Sequence, residues 1–117
     1  MKDANKEKKT VRIDIFDIEE DKAQQYLKDR EDCAQAAEAV MAKYCKDIKR
    51  ETLDPEEGQG VVGYFKTGEV LLSVLLDPFE IPVMKVAMER GKLEEYVLAA
   101  NGFTLETIQE VMKEADK

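Results

Sequence analysis

The chain has no histidine and no tryptophan, only two cysteines, and no apolar stretch approaching twenty residues. Without histidine there is no imidazole base to activate a nucleophile and no imidazole ligand for zinc. Cys33 and Cys45 are twelve residues apart, about 18 Å along a helix. That exceeds the roughly 7 Å between α-carbons that a disulfide spans. Both are expected as reduced thiols in or near the core. The longest apolar run of note, Val70 to Leu76 interrupted by Ser73, is far too short to cross a bilayer. The first ten residues are charged with no apolar run behind them. No signal peptide is therefore expected, and the cytoplasm is the expected location.

Of the 117 residues, 44% are hydrophobic and 38% charged. That is the composition of a globular chain, and one domain is the simplest partition. The formal net charge of −8 repels phosphate backbones and anionic lipid, which argues against nucleic-acid and membrane partners.

The dominant pattern runs from Asp21 to Arg50. Ala23, Leu27, Arg30, Ala34, Ala37, Met41, Tyr44 and Ile48 recur in steps of three and four, the spacing of one helical stripe. Glycine and proline are absent there, and Asp54-Pro55 is the first stop signal. The spacing predicts one long helix near 19–51, opened by a capping box of Asp17 and Glu20. The small residues Cys33, Ala34, Ala36, Ala37 and Ala39 would let another helix approach closely. Arg30 would lay its stem over apolar neighbours and carry its guanidinium to water or a carboxylate.

Residues 1–10 have little to bury and are expected to be a disordered charged tail. Val11, Ile13 and Ile15 alternate with polar residues, which predicts an extended or strand-like arm near 11–17, with 61–65 as its one internal partner. A strand followed by helices has the outline of ribbon-helix-helix DNA binders, but Arg12 beside Asp14 and Asp17 is a poor base reader. The acidic run 14–21 lacks the alternating ligands and the glycine of a calcium loop.

Asp54-Pro55-Glu56-Glu57 reads as a second helix start. Gly58-Gln59-Gly60-Val61-Val62-Gly63 matches a dinucleotide fingerprint in letters only. The preceding residues cannot form its buried strand, and the carboxylates repel phosphate. Val61, Phe65, Gly68, Leu72 and Leu75 keep helical spacing, so a helix secure from about Gly68 is expected, with 58–68 left ambiguous. A helix then follows over Val83 to Arg90. Leu93 to Ala100, the stop Asn101-Gly102, the cap Thr104 and a last helix burying Leu105, Ile108, Val111, Met112 and Ala115 complete the chain.

The expected fold is mainly all-α: a bundle of four or five helices in a single helical domain over 11–117. No catalytic, cofactor-binding or metal-ligating constellation appears, so neither an enzyme nor a cofactor is expected. The apolar surplus from Val70 to Met88 instead suggests a protein–protein interaction module, most simply a homodimer. Its candidate interface is Val70, Leu71, Val74, Leu75, Phe79, Met84 and Met88. The alternative is a small helix-turn-helix DNA-binding regulator using 93–115. From Gly91 onward, however, six acids face three lysines, the wrong balance for a groove lined by phosphates.

Overall fold

The computed structural model describes residues 9–54 and 58–115. The described residues contain four helices and five strands, which corrects the all-α expectation: the fold is α+β. Strands β1 (Thr10–Ile13) and β2 (Phe16–Glu19) form a hairpin that leads into helix α1 (Glu20–Met41). Strands β3 (Asp47–Asp54), β4 (Gly58–Tyr64) and β5 (Val70–Leu75) form an antiparallel sheet in that order. Helices α2 (Glu80–Glu89), α3 (Leu93–Ala100) and α4 (Leu105–Ala115) follow.

The 11–17 arm pairs with the residues right after it, Val11 opposite Ile18 and Arg12 opposite Asp17, and not with 61–65. The turn is closed by Asp14 at φ 55°, a conformation that aspartate tolerates better than most residues. Asp17 is therefore in a strand and caps nothing. Helix α1 starts at Glu20 with no side-chain cap, and the Glu20 amide donates instead to the Lys9 carbonyl at 2.8 Å. The tail expected over 1–10 falls outside the described residues, apart from Lys9 and Thr10.

The long helix ends at Met41, not near residue 51. The amides of Tyr44 and Cys45 both donate to the Met41 carbonyl as the last turn closes, and from Asp47 the chain is strand. Residues 44–54 include Tyr, Cys, Ile and Thr, which favour helix weakly, and pairing with β4 decides the matter. Likewise 61–75 is a β-hairpin and not a helix. Lys66, Thr67 and Gly68 turn it, with Gly68 at φ 93°, the left-handed position of a three-residue hairpin loop. The helix start expected at Asp54-Pro55-Glu56-Glu57 is also overturned where it is described. Asp54 ends β3 and Gly58 begins β4, and 55–57 lie outside the described residues.

Helix α1 lies across one face of the sheet, over β4, with α2 and α3 beside it. The core joins Cys33, Ala34, Ala37, Val40 and Met41 of α1 to Val61, Leu72 and Val74 of the sheet, and to Met84, Val97, Leu98 and Ile108 of the later helices. The small seam therefore does permit close approach, to α2 and α3 and also to the sheet, with the Cys33 thiol against the Ile81 carbonyl of α2. Val62 points to the opposite face and is also buried. On that face Leu53, the extra residue of a bulge, lies over Gly60.

The last three helices begin and end where local chemistry dictates. Asp77 Oδ1 accepts from the amides of Phe79 and Glu80 at the start of α2. Thr104 and Thr107 cap α4 reciprocally, each hydroxyl accepting from the other's amide. Leu105, expected inside, is 48% exposed. Asn101, the residue after α3, ties that helix to the edge of β5. It accepts from the Ser73 amide at 3.0 Å and donates to the carbonyls of Ser73 at 2.9 Å and Val97 at 2.8 Å. Asn101→Ala removes three partly buried hydrogen bonds and is expected to cost about 2 kcal/mol. The check is urea unfolding together with faster exchange of the Ser73 amide.

Candidate functional site

Helix α2 carries apolar residues on two faces. Ile81 and Met84 are buried in the core. Phe79, Val83 and Val86 are 77%, 50% and 45% exposed. With Pro82 they form a ridge at i, i+4 and i+7, the spacing by which helices recognise one another in grooves.

An open groove runs along each side of the ridge. The one between α1 and α2, of about 430 Å³, has Tyr26, Asp29, Ile81, Pro82, Lys85 and Val86 among its walls. The one between α2 and α3, of about 680 Å³, is bounded by Val83, Val86, Ala87, Arg90, Lys92 and Tyr96. Together they carry four basic residues (Lys22, Lys85, Arg90, Lys92) and three acidic ones (Asp29, Glu89, Glu95). In a chain of net charge −8 this face is locally close to neutral.

The first groove is held in shape by polar contacts. Lys85 Nζ donates to Asp29 Oδ2 at 3.0 Å, tying α2 to α1, and Gln25 donates to the other oxygen at 2.8 Å. Burial disfavours the charge on Asp29, but these two donors outweigh it and hold the carboxyl below its ordinary range. The Tyr26 hydroxyl is buried with no hydrogen-bond partner among the described residues, and burial raises its pKa. Arg30 lies with its guanidinium 6.0 Å from the Tyr26 ring centre and pairs with Asp14 in the hairpin turn. Deeper still, the Cys33 thiol donates to the Ile81 carbonyl. Both cysteines are free. Burial raises the Cys33 pKa and pushes that of Cys45 up to about 11, so neither offers a thiolate at neutral pH.

The residues of the expected interface separate in the fold. Leu71, Val74 and Met84 are buried inside the chain, and Met88 is packed partly against the core. Leu75 is half-buried, while Val70 and Phe79 are exposed. Phe79 alone of the seven stands on the α2 ridge. Val83 and Val86 share one side of the helix in the sequence but lie outside the expected interface, because periodicity cannot say which face of a helix apolar on two sides turns inward. Exposed charge was the available signal, since Lys85 and Glu89 flank the ridge.

A second polar site joins the sheet to α1. Arg50 reaches from β3 to two carboxylates one heptad apart, donating to both oxygens of Glu31 (2.7 and 3.0 Å) and both of Glu38 (2.9 and 2.9 Å). These hydrogen bonds hold the carboxyls of Glu31 and Glu38 below their ordinary range. Lys43 and Tyr44 do the same for Glu94. Each group binds its proton less tightly folded than unfolded. Its stabilising effect is therefore complete above the ordinary carboxylate range and disappears as pH falls through the lowered folded value. Urea midpoints are expected to be flat from pH 8 to 6 and to drop below pH 4. The drop should shrink in Glu31→Gln/Glu38→Gln, measured by circular dichroism.

Among the described residues no group of three or more histidine, cysteine or acidic side chains is placed to hold a metal ion, and no helix is long and apolar enough to cross a membrane. No protein-family model, no curated protein and no solved structure matches the chain significantly.

Proposed function

We propose that the chain is a protein–protein interaction module that self-associates and offers the α2 ridge and its two grooves to a helix of another protein. The observation that carries this reading is the exposure of Phe79, Val83 and Val86 in a row on one helix. Scattered exposed apolar residues are ordinary, but a contiguous row between grooves is the form of a docking face. The near-neutral rim in an otherwise acidic chain spares an amphipathic helix the repulsion that the rest of the surface would impose on acidic flanks. The free, high-pKa thiols accord with a cytoplasmic setting.

A photo-crosslinking residue at Val83, in the cells that make the protein, is expected to capture a distinct partner. Capture should be lost with Phe79→Glu, and the same residue at Glu110 should capture nothing. Equal capture at both positions refutes the docking face. Sedimentation showing only monomer at tens of micromolar refutes self-association.

A second reading is a helix-turn-helix regulator acting through 93–115. The outline is there: α3, a turn at Asn101–Thr104, then α4. The exposed side of α4 bears Glu106, Glu110 and Glu114 against Lys113, which opposes a phosphate-lined groove. Binding to duplex DNA that weakens steeply with added salt would support it.

A further inference from the structure

The sheet has two edges, and they are treated differently. Along β5, Asn101 occupies both outward backbone groups of Ser73. Along β3 the residues bonded to β4 alternate with residues whose backbone faces outward. Ser73 faces away from β4, so its partner Val62 turns its N–H and C=O toward β3 and Lys49. The amide of Lys46 donates to the Tyr64 carbonyl in the same phase. The outward groups of β3 are therefore those of Ile48, Arg50 and Thr52.

We infer that a second copy of this chain pairs antiparallel along β3, with Arg50 opposite Arg50 on the two-fold axis, joining two three-stranded sheets into one of six. This rests on the self-association proposed above and names the surface that performs it.

Side-chain chemistry selects this register. Centred on Arg50, Lys49 faces Glu51 of the other copy and Glu51 faces its Lys49, on the sheet face away from α1. Ile48 faces Thr52 twice. Centring on Lys49 or on Glu51 would set like charges opposite each other, which destabilises a strand pair. The two central guanidiniums do not meet bare, because each is clasped by Glu31 and Glu38 of its own α1, which outweigh its charge and leave each clasp at a net −1 on the α1 side of the sheet. One carboxylate oxygen, Glu51 Oε2, is buried with no hydrogen-bond partner among the described residues, and the pairing brings a lysine beside it. Lys49 is only loosely held. Its own contacts are a loose 3.7 Å approach to Asp47 and a position over the Tyr64 ring.

Charge exchange on the full chain tests both surface and register. Sedimentation velocity at tens of micromolar is expected to show a dimer for the natural sequence. Lys49→Glu alone and Glu51→Lys alone should each weaken it by about tenfold or more, since each sets two like-charge pairs face to face. An equimolar mixture of the two variants should restore a dimer, because each then meets opposite charges. Thr52→Pro, which removes an outward N–H that the monomer does not use, should also give monomer, with circular dichroism confirming an intact fold. A natural dimer that survives all three substitutions overturns the inference while leaving self-association standing. Monomeric single variants whose mixture stays monomeric overturn the register. A natural chain that is monomeric throughout overturns self-association itself.

Discussion

Gly60→Ala is expected to destabilise the chain by about 3 kcal/mol, and trimming its neighbour should not rescue it. A β-carbon at residue 60 would stand 2.5 Å from Leu53 Cδ1 and 2.6 Å from the Val74 carbonyl oxygen. The leucine tip can swing aside, but the carbonyl belongs to the backbone of β5, opposite β4 in the ladder. Leu53→Ala in the same chain therefore leaves the greater part of the cost in place. Gly63→Ala is the instructive contrast. On the other face of β4, its β-carbon would run into Cys45 Sγ and lie 3.3 Å from Met41 Sδ. Both obstacles are side-chain atoms, so Cys45→Ala should recover roughly half of a similar loss. Urea denaturation of the single and double variants forms two thermodynamic cycles. Strong coupling at Gly63 with weak coupling at Gly60 is the expected result, and equal coupling at both would contradict the geometry.

Ala37→Leu is expected to cost about 3 kcal/mol, or to abolish cooperative unfolding. Ala37 has no exposed surface and lies in the seam where α1 presses on the sheet, between Ala34 and Val40. A side chain three carbons longer can be admitted only by lifting the helix from β4. That would disturb Met41 and Leu72, both fully buried. Ala39→Leu, at an exposed position of the same helix, should change stability by less than about 0.5 kcal/mol. Thermal melts of the pair separate crowding from any effect of leucine on the helix itself.

The same alanines show how far the chain can be read without coordinates. Their spacing correctly marks α1 and its need for a close neighbour, yet nothing local says whether that neighbour is a helix or a strand. Met41, Tyr44 and Ile48 satisfy a helical period, and Ile48, Arg50 and Thr52 equally satisfy an alternating one. With no glycine or proline between Met41 and Asp54, the choice fell to a partner strand that begins ten residues downstream of Ile48. In β4, Gly60 and Gly63 replace the side chains that would have displayed alternation, and Val61 and Val62 are buried on opposite faces, so the strand looks apolar throughout. From Asp77 onward the punctuation is local, with Asp77-Pro78, Gly91, Asn101-Gly102 and Thr104, and the three helices fall close to where those residues place them. The α2 surface was half legible: Phe79 could be named, but the rotation that exposes Val83 and Val86 depends on Ile81 and Met84 finding the core. The Arg50 clasp could not be named, because it joins residues that the sequence alone places on one continuous helix.

The grip of Asn101 on Ser73 also limits growth. A ribbon of strands fastened along one margin has only a single free rim to offer. In the dimer inferred above, two copies meeting rim to rim would use it up and turn the margins held by Asn101 outward on both sides, so the association would halt at a pair and not lengthen into a fibre. Loosening that fastening, as Asn101→Ala would, frees the outer margins and is where runaway stacking of the sheets would start.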